Sequence, residues 1–164
     1  MTESIKKSRL VLPHRARQAL LTAHIMMSVA LLGDSAGFLA VAIRASKLSD
    51  PTAVTELVRV LNMLSAVFGI PLSLGTLISG VALGLGTKWG LFRYPWVVAK
   101  LLLVVSVMAV GGFVIGPALA VMLAGAGDAT SRLIAASAFD VCALALATGL
   151  GVFKPGRQFR SGVS

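Results

Sequence analysis

The chain has 164 residues, 57% of them hydrophobic, with 15 Lys and Arg against six Asp and Glu and a formal net charge of +9. A mean hydropathy of +0.91 excludes an ordinary water-soluble domain. The basic excess argues against nucleic acid, because no basic patch carries interleaved aromatics. Cys142 is the lone cysteine, which rules out an intrachain disulfide and leaves no Cys/His metal cluster.

Lys6, Lys7, Arg9, Arg15 and Arg17 precede a first apolar run from Ala19 to Ile43. A bilayer core about 30 Å thick needs about 20 helical residues, so this run predicts a transmembrane helix. It is too long for the roughly 7–15-residue apolar region of a signal peptide, and it reads as a retained first span. His24 and Asp34 lie within it. Ser49-Asp50-Pro51 then predicts a helix start, with Asp50 capping free N–H groups and Pro51 at the first helical position. That helix enters the membrane near Val60 and runs to Leu85, with Asn62 near its outer end and a kink expected at Pro71.

A turn from Gly86 to Pro95 comes next, with Trp89, Tyr94 and Trp96 as interfacial anchors. The third span, Trp96 to Ala124, carries Lys100 and a second expected kink at Pro117. A short outer turn around Gly125 to Ser131 leads to the fourth span, Leu133 to Phe153, which carries Asp140 and Cys142 and ends at Lys154-Pro155-Gly156. Met26, Met27, Met63 and Met108 read as packing residues.

Eleven of the 15 basic residues fall before span one, around the middle turn or after span four. This asymmetry places both termini and the middle turn in the cytoplasm, with the excess charge at anionic headgroups. Short connections favour antiparallel neighbours. The expected architecture is all-α: one domain, 1–164, forming an integral membrane four-helix bundle, up-down-up-down, with cytoplasmic N and C termini. The lipid bilayer of the inner (plasma) membrane surrounds this multi-pass chain. Gly33 and Gly37, Gly80 and Gly84, and Gly112 and Gly116 recur at four-residue spacing and suit close helix approach. Such faces would also serve a homo-oligomer or a membrane partner subunit. A flat ligand lying against the backbone is the alternative.

Ionisable groups at membrane depth cost at least about 2.5–3.5 kcal/mol, so His24, Asp34, Lys100 and Asp140, with Asn62, are the candidate functional residues. Counting from flanking charges at 1.5 Å per residue sorts them into two layers. His24 and Lys100 form a basic layer about 10 Å from the cytoplasmic boundary, and Asp34 and Asp140 an acidic layer about 12–15 Å below the opposite face. A neutral imidazole can ligate a haem iron or simply hydrogen-bond to a neighbouring helix. Lys100 can pair with a buried carboxylate or snorkel to the headgroups. The two carboxyls can share a proton on a proton or cation path, or bond to Ser35, Thr76 or Asn62.

Ala23-His24-Ile25, opening a span that continues to Leu32-Gly33, resembles the first helix of HemJ-type and copper-resistance-D-type membrane proteins. Tyr94-Pro95-Trp96 through Lys100 to Leu103 resembles their third-helix start. The segment Thr87 to Trp96 is similar to an uncharacterised bacterial family of small four-span proteins. The first resemblance implies a b-type haem with His24 as axial metal ligand and Lys100 as its functional companion, catalytic in porphyrinogen oxidation if the chain is an enzyme. A cofactor-free structural or partner-binding subunit is the alternative expectation.

Overall fold

The structure is a computed structural model and describes residues 13–86 and 94–153. Lys6, Lys7, Arg9, Lys88, Arg93, Lys154, Arg157 and Arg160, on which much of the charge asymmetry rests, lie outside the described residues, as does the anchor Trp89. So does the Pro155-Gly156 stop.

Four helices account for most of the rest: α1 His14–Ala45, α2 Pro51–Gly86, α3 Pro95–Leu123 and α4 Thr130–Phe153. Each is long and apolar enough to cross a membrane, and no strand occurs among the described residues. The chain is an all-α four-helix membrane bundle. Helix ends reach past most of the predicted apolar runs because polar first and last turns are still helical. At the start of α2, the Asp50 carboxylate accepts from the backbone N–H groups of Thr52 (3.1 Å) and Ala53 (3.3 Å), with Pro51 in the first turn. This is the cap read from the sequence. Before α4, Asp128 accepts from both the N–H and the hydroxyl of Thr130. Those bonds hold the Asp128 carboxyl below the usual carboxylate range. The turn leading there passes through Gly125 at φ 64°, a conformation that suits a residue without Cβ.

Both expected proline irregularities take the form of π-helical turns. Ser65–Gly69 precedes Pro71, and the Ile70 N–H closes it by donating to the Ser65 carbonyl. Gly111–Ile115 precedes Pro117, with the Gly116 N–H donating to the Gly111 carbonyl. A proline ring crowds the carbonyl four residues back and brings no N–H. One wider turn ahead of it relieves that crowding, so the same local problem has the same solution in both helices.

The buried side chains form two apolar clusters. The larger joins Phe38 and Ala42 of α1, Val58 and Leu61 of α2, Ile115, Ala118 and Leu119 of α3, and Leu133 and Ala136 of α4. Leu61 and Leu133 are wholly buried, at 0% exposure. The smaller joins Leu31 of α1, Val107 of α3, and Ala143 and Leu144 of α4, with Leu72 of α2 packed against it. On every helix one segment separates the two clusters. In α2 that segment contains the π-helical turn, while in α3 the π-helical turn runs into the larger cluster at Ile115; in α1 the segment holds Asp34 and Ser35, and in α4 Ser137 and Asp140.

Candidate functional site

His24 is half-buried on the face of α1 that meets α2, and its Nδ1 is 2.8 Å from the Ser79 hydroxyl. The same hydroxyl lies 2.6 Å from the Gly75 carbonyl oxygen. Two oxygens that close need a proton between them, and only the hydroxyl carries one. Ser79 therefore donates to its own helix and accepts from the His24 Nδ1–H. The neutral ring's lone pair is then left on Nε2.

Glycine makes room for the ring. A Cβ at Gly80 would stand 3.1 Å from His24 Cε1. The same arrangement repeats along α2: a Cβ at Gly75 would meet Met27 Sδ at 2.5 Å, and one at Gly69 would meet Asp34 Oδ2 at 3.4 Å. Side chains 24, 27 and 34 of α1 thus sit over glycines 80, 75 and 69 of α2, in opposite order along the two helices.

Lys100 enters from α3. Its Nζ rests on α4, 2.9 Å from where a Cβ on Gly151 would be. No carboxylate among the described residues forms an ion pair with it; the ion pair present there joins Arg59 to Glu56, at 3.8 Å on the surface. His24 and Lys100 lie toward the same end of the bundle on α1 and α3, which are not neighbours: the imidazole rests on α2 and the ammonium on α4.

The acidic layer is less simple. Asp34 lies half-buried against Gly69, while Asp140 is 6% exposed and its Oδ1 has no hydrogen-bond partner. No hydrogen bond joins the two carboxyls. The partners expected for them also differ: Thr76 Oγ1 is itself buried without a partner, and Asn62 is exposed. Asn62 lies on the outward side of α2, so it belongs to the surface and not to an interior site. Among the methionines, Met27 packs as expected, whereas Met26 and Met63 are exposed, a reversal set by their azimuth on the helix. Tyr94 and Trp96 pack as a tilted pair with ring centroids 6.2 Å apart. Among the described residues no three His, Cys, Asp or Glu side chains converge as a metal cluster.

The family described as "predicted integral membrane protein", DUF2269, matches residues 18–155. The chain belongs to DUF2269. No curated protein and no solved structure matches it. For a DUF2269 protein the family supplies the membrane architecture, and the reading of activity rests on the site.

Ser79 and Gly80 are the functional partners that the sequence alone does not pair with His24. A signal is present there: Ser73, Thr76 and Ser79 recur every third residue inside an apolar span, and all three are buried. A hydroxyl stripe of that kind marks the interior face of a membrane helix.

Proposed function

We propose that this DUF2269 protein is a multi-pass inner-membrane protein, up-down-up-down with both termini cytoplasmic, that holds a b-type haem through His24. The observation that carries the reading is the Ser79 hydrogen bond. A metal-bound imidazole characteristically donates its other ring N–H to a protein acceptor, which fixes tautomer and orientation. His24 has that bond through Nδ1, and in that tautomer Nε2 is the atom that would ligate the iron. Lys100, with no anion beside it, supplies the counter-charge a haem propionate needs. When bound, the haem would supply one-electron chemistry; the chain's part is to orient the imidazole and hold the acid group. The donor chemistry fits, and a cleft of about 330 Å3 at the Asp50 end, lined by Pro51, Val58 and Met122 among others, is not the place for it. On this reading the haem would sit beside His24.

An absorption spectrum of detergent-purified protein tests this directly. A Soret band with sharp reduced α and β bands, lost in His24→Ala and shifted in Ser79→Ala, supports it. A featureless spectrum that persists after haem addition removes it. Lys100→Ala separates the enzymatic extension, because oxygen- or quinone-linked porphyrin formation should then disappear while the haem remains.

One observation favours a second reading, a cofactor-free subunit of a larger membrane assembly. A Cβ at Gly33, Gly37, Gly111 or Gly112 would touch nothing, so these small-residue positions have no partner among the described residues. That reading expects His24→Ala and Lys100→Ala to be tolerated and a second membrane chain, or a second copy, to copurify.

A further inference from the structure

The two π-helical turns are built alike but lined differently. In α3 the turn opens with Gly111 and ends with Ile115, a buried side chain of the larger apolar cluster. In α2 the same two positions hold Ser65 and Gly69. Where hydrocarbon fills the α3 turn, the α2 turn has a hydroxyl and a position without a side chain. A Cβ at Gly69 would have oxygens as its three nearest neighbours: Asp34 Oδ2 of α1 at 3.4 Å, and the Leu64 carbonyl and Ser65 hydroxyl of α2, both at 3.9 Å. Gly75 and Gly80, the other α2 glycines set against α1, each face a single side chain, Met27 and His24.

The cradle over Gly69 has acceptors in excess. The Ile70 N–H donates to the Ser65 carbonyl and so is withdrawn from the Ala66 carbonyl, its partner in an α-helix. Pro71 brings no N–H for the Val67 carbonyl. The Asp34 carboxyl has neither a hydrogen bond nor an ion pair among the described residues. The Ser65 hydroxyl is the one side-chain donor lining the cradle. Along α1, His24 and Arg44 stand ten residues to either side of Asp34, each about 15 Å away in depth. On α2, Arg59 is on the surface and paired with Glu56. A carboxylate at membrane depth needs a compensating positive charge, and no side chain here supplies it. Carboxylate, hydroxyl and carbonyl oxygens are the ligands of hard cations, and interrupted membrane helices present carbonyls to such ions. One carboxylate balances one charge, which selects a monovalent ion. A space the size of a methyl group selects a small one.

We propose that Asp34, Ser65 and the Leu64 carbonyl form a sodium-binding site between α1 and α2, with Gly69 as the position that must stay without a side chain. Asp34 supplies the charge, and the ion ties α1 to the π-helical turn of α2. Asp34 and Ser65 are only partly buried, so the site opens at the side of the bundle. Its distance from His24 makes it independent of haem.

Equilibrium binding of radioactive sodium to the full chain in detergent, with ionic strength held constant by choline chloride, provides the test. Saturable binding is expected, displaced by unlabelled sodium at concentrations where potassium has little effect. Asp34→Asn should abolish it, Ser65→Ala should weaken it several-fold, and the surface variant Glu56→Gln should bind as wild type does. Gly69→Ala is the sharpest variant. Its methyl would meet the three oxygens at 3.4–3.9 Å, ordinary contact distances, so the fold is kept while the space for the ion is lost. No saturable binding by the wild-type chain, or binding that survives both Asp34→Asn and Gly69→Ala, overturns the site. Equal displacement by potassium overturns the assignment to sodium. Should Asp34→Asn fail to fold, Gly69→Ala decides: wild-type binding in that variant excludes the cradle.

Discussion

The two ends of the bundle solve opposite problems. At the Asp50 end, the larger cluster draws large side chains from all four helices, and the helix starts there are capped by Asp50 and Asp128. At the His24 end the apolar cluster is small, and beyond it lie an imidazole, hydroxyls and an ammonium set against glycines. In lipid there is no hydrophobic drive to bring helices together, so packing and internal hydrogen bonds hold the bundle. The Asp50 end uses the first and the His24 end the second. Stability is thereby concentrated away from the candidate site, leaving the site's residues free to be chosen for chemistry.

The largest expected effect probes that division. Leu133→Ala should lower stability by about 2–3 kcal/mol, the lower part of the range for core truncation, because burial from lipid carries no hydration gain. Leu144→Ala, in the smaller cluster, should cost distinctly less. Unfolding in mixed micelles would measure both, and equal losses would erase the contrast between the ends. A smaller effect separates seats from open faces. Gly80→Ala pushes a methyl onto the His24 ring, whereas Gly33→Ala meets nothing and gains up to about 1 kcal/mol of helix propensity. In the same unfolding assay, Gly33→Ala should stand above wild type and Gly80→Ala below Gly33→Ala.

The smallest effect concerns pH at the capped end. Thr130 holds the folded Asp128 carboxyl below its ordinary value, so its stabilisation is complete above about pH 4 and is lost as pH falls through the folded value. Asp128 is exposed, which keeps the contribution small. Asp128→Asn should therefore be slightly less stable than wild type at pH 7 and lose less on acidification, as read by thermal melting across that window.

These contrasts also show what a linear reading can and cannot reach. The helix start at Asp50-Pro51 was legible because a cap is decided by residues two and three positions away. The four spans were legible from length and apolarity. Depth could be counted from flanking charges, and His24 and Lys100, counted to one level, lie toward the same end of the bundle, though against different helices. Azimuth could not be counted: Asn62 turns outward and Asp140 inward, although both are polar residues in apolar runs. His24 meets Ser79 across 55 positions of chain. No local pattern reports which glycine will face which side chain, so Gly80 was legible as a small residue but not as the seat of an imidazole. The prolines announced an irregularity, yet its form, a turn widened by one residue, depends on how the surrounding helix relaxes.

The cleft at the Asp50 end fixes the level of the first turns of α2. Pro51 and Val58 line it together with Met122 and Asp128, so those turns stand beside the connection between α3 and α4. Glu56 and Arg59, paired on the surface of the same turns, cannot be drawn cheaply into hydrocarbon. They act as a float line, holding that end of the bundle at the lipid boundary.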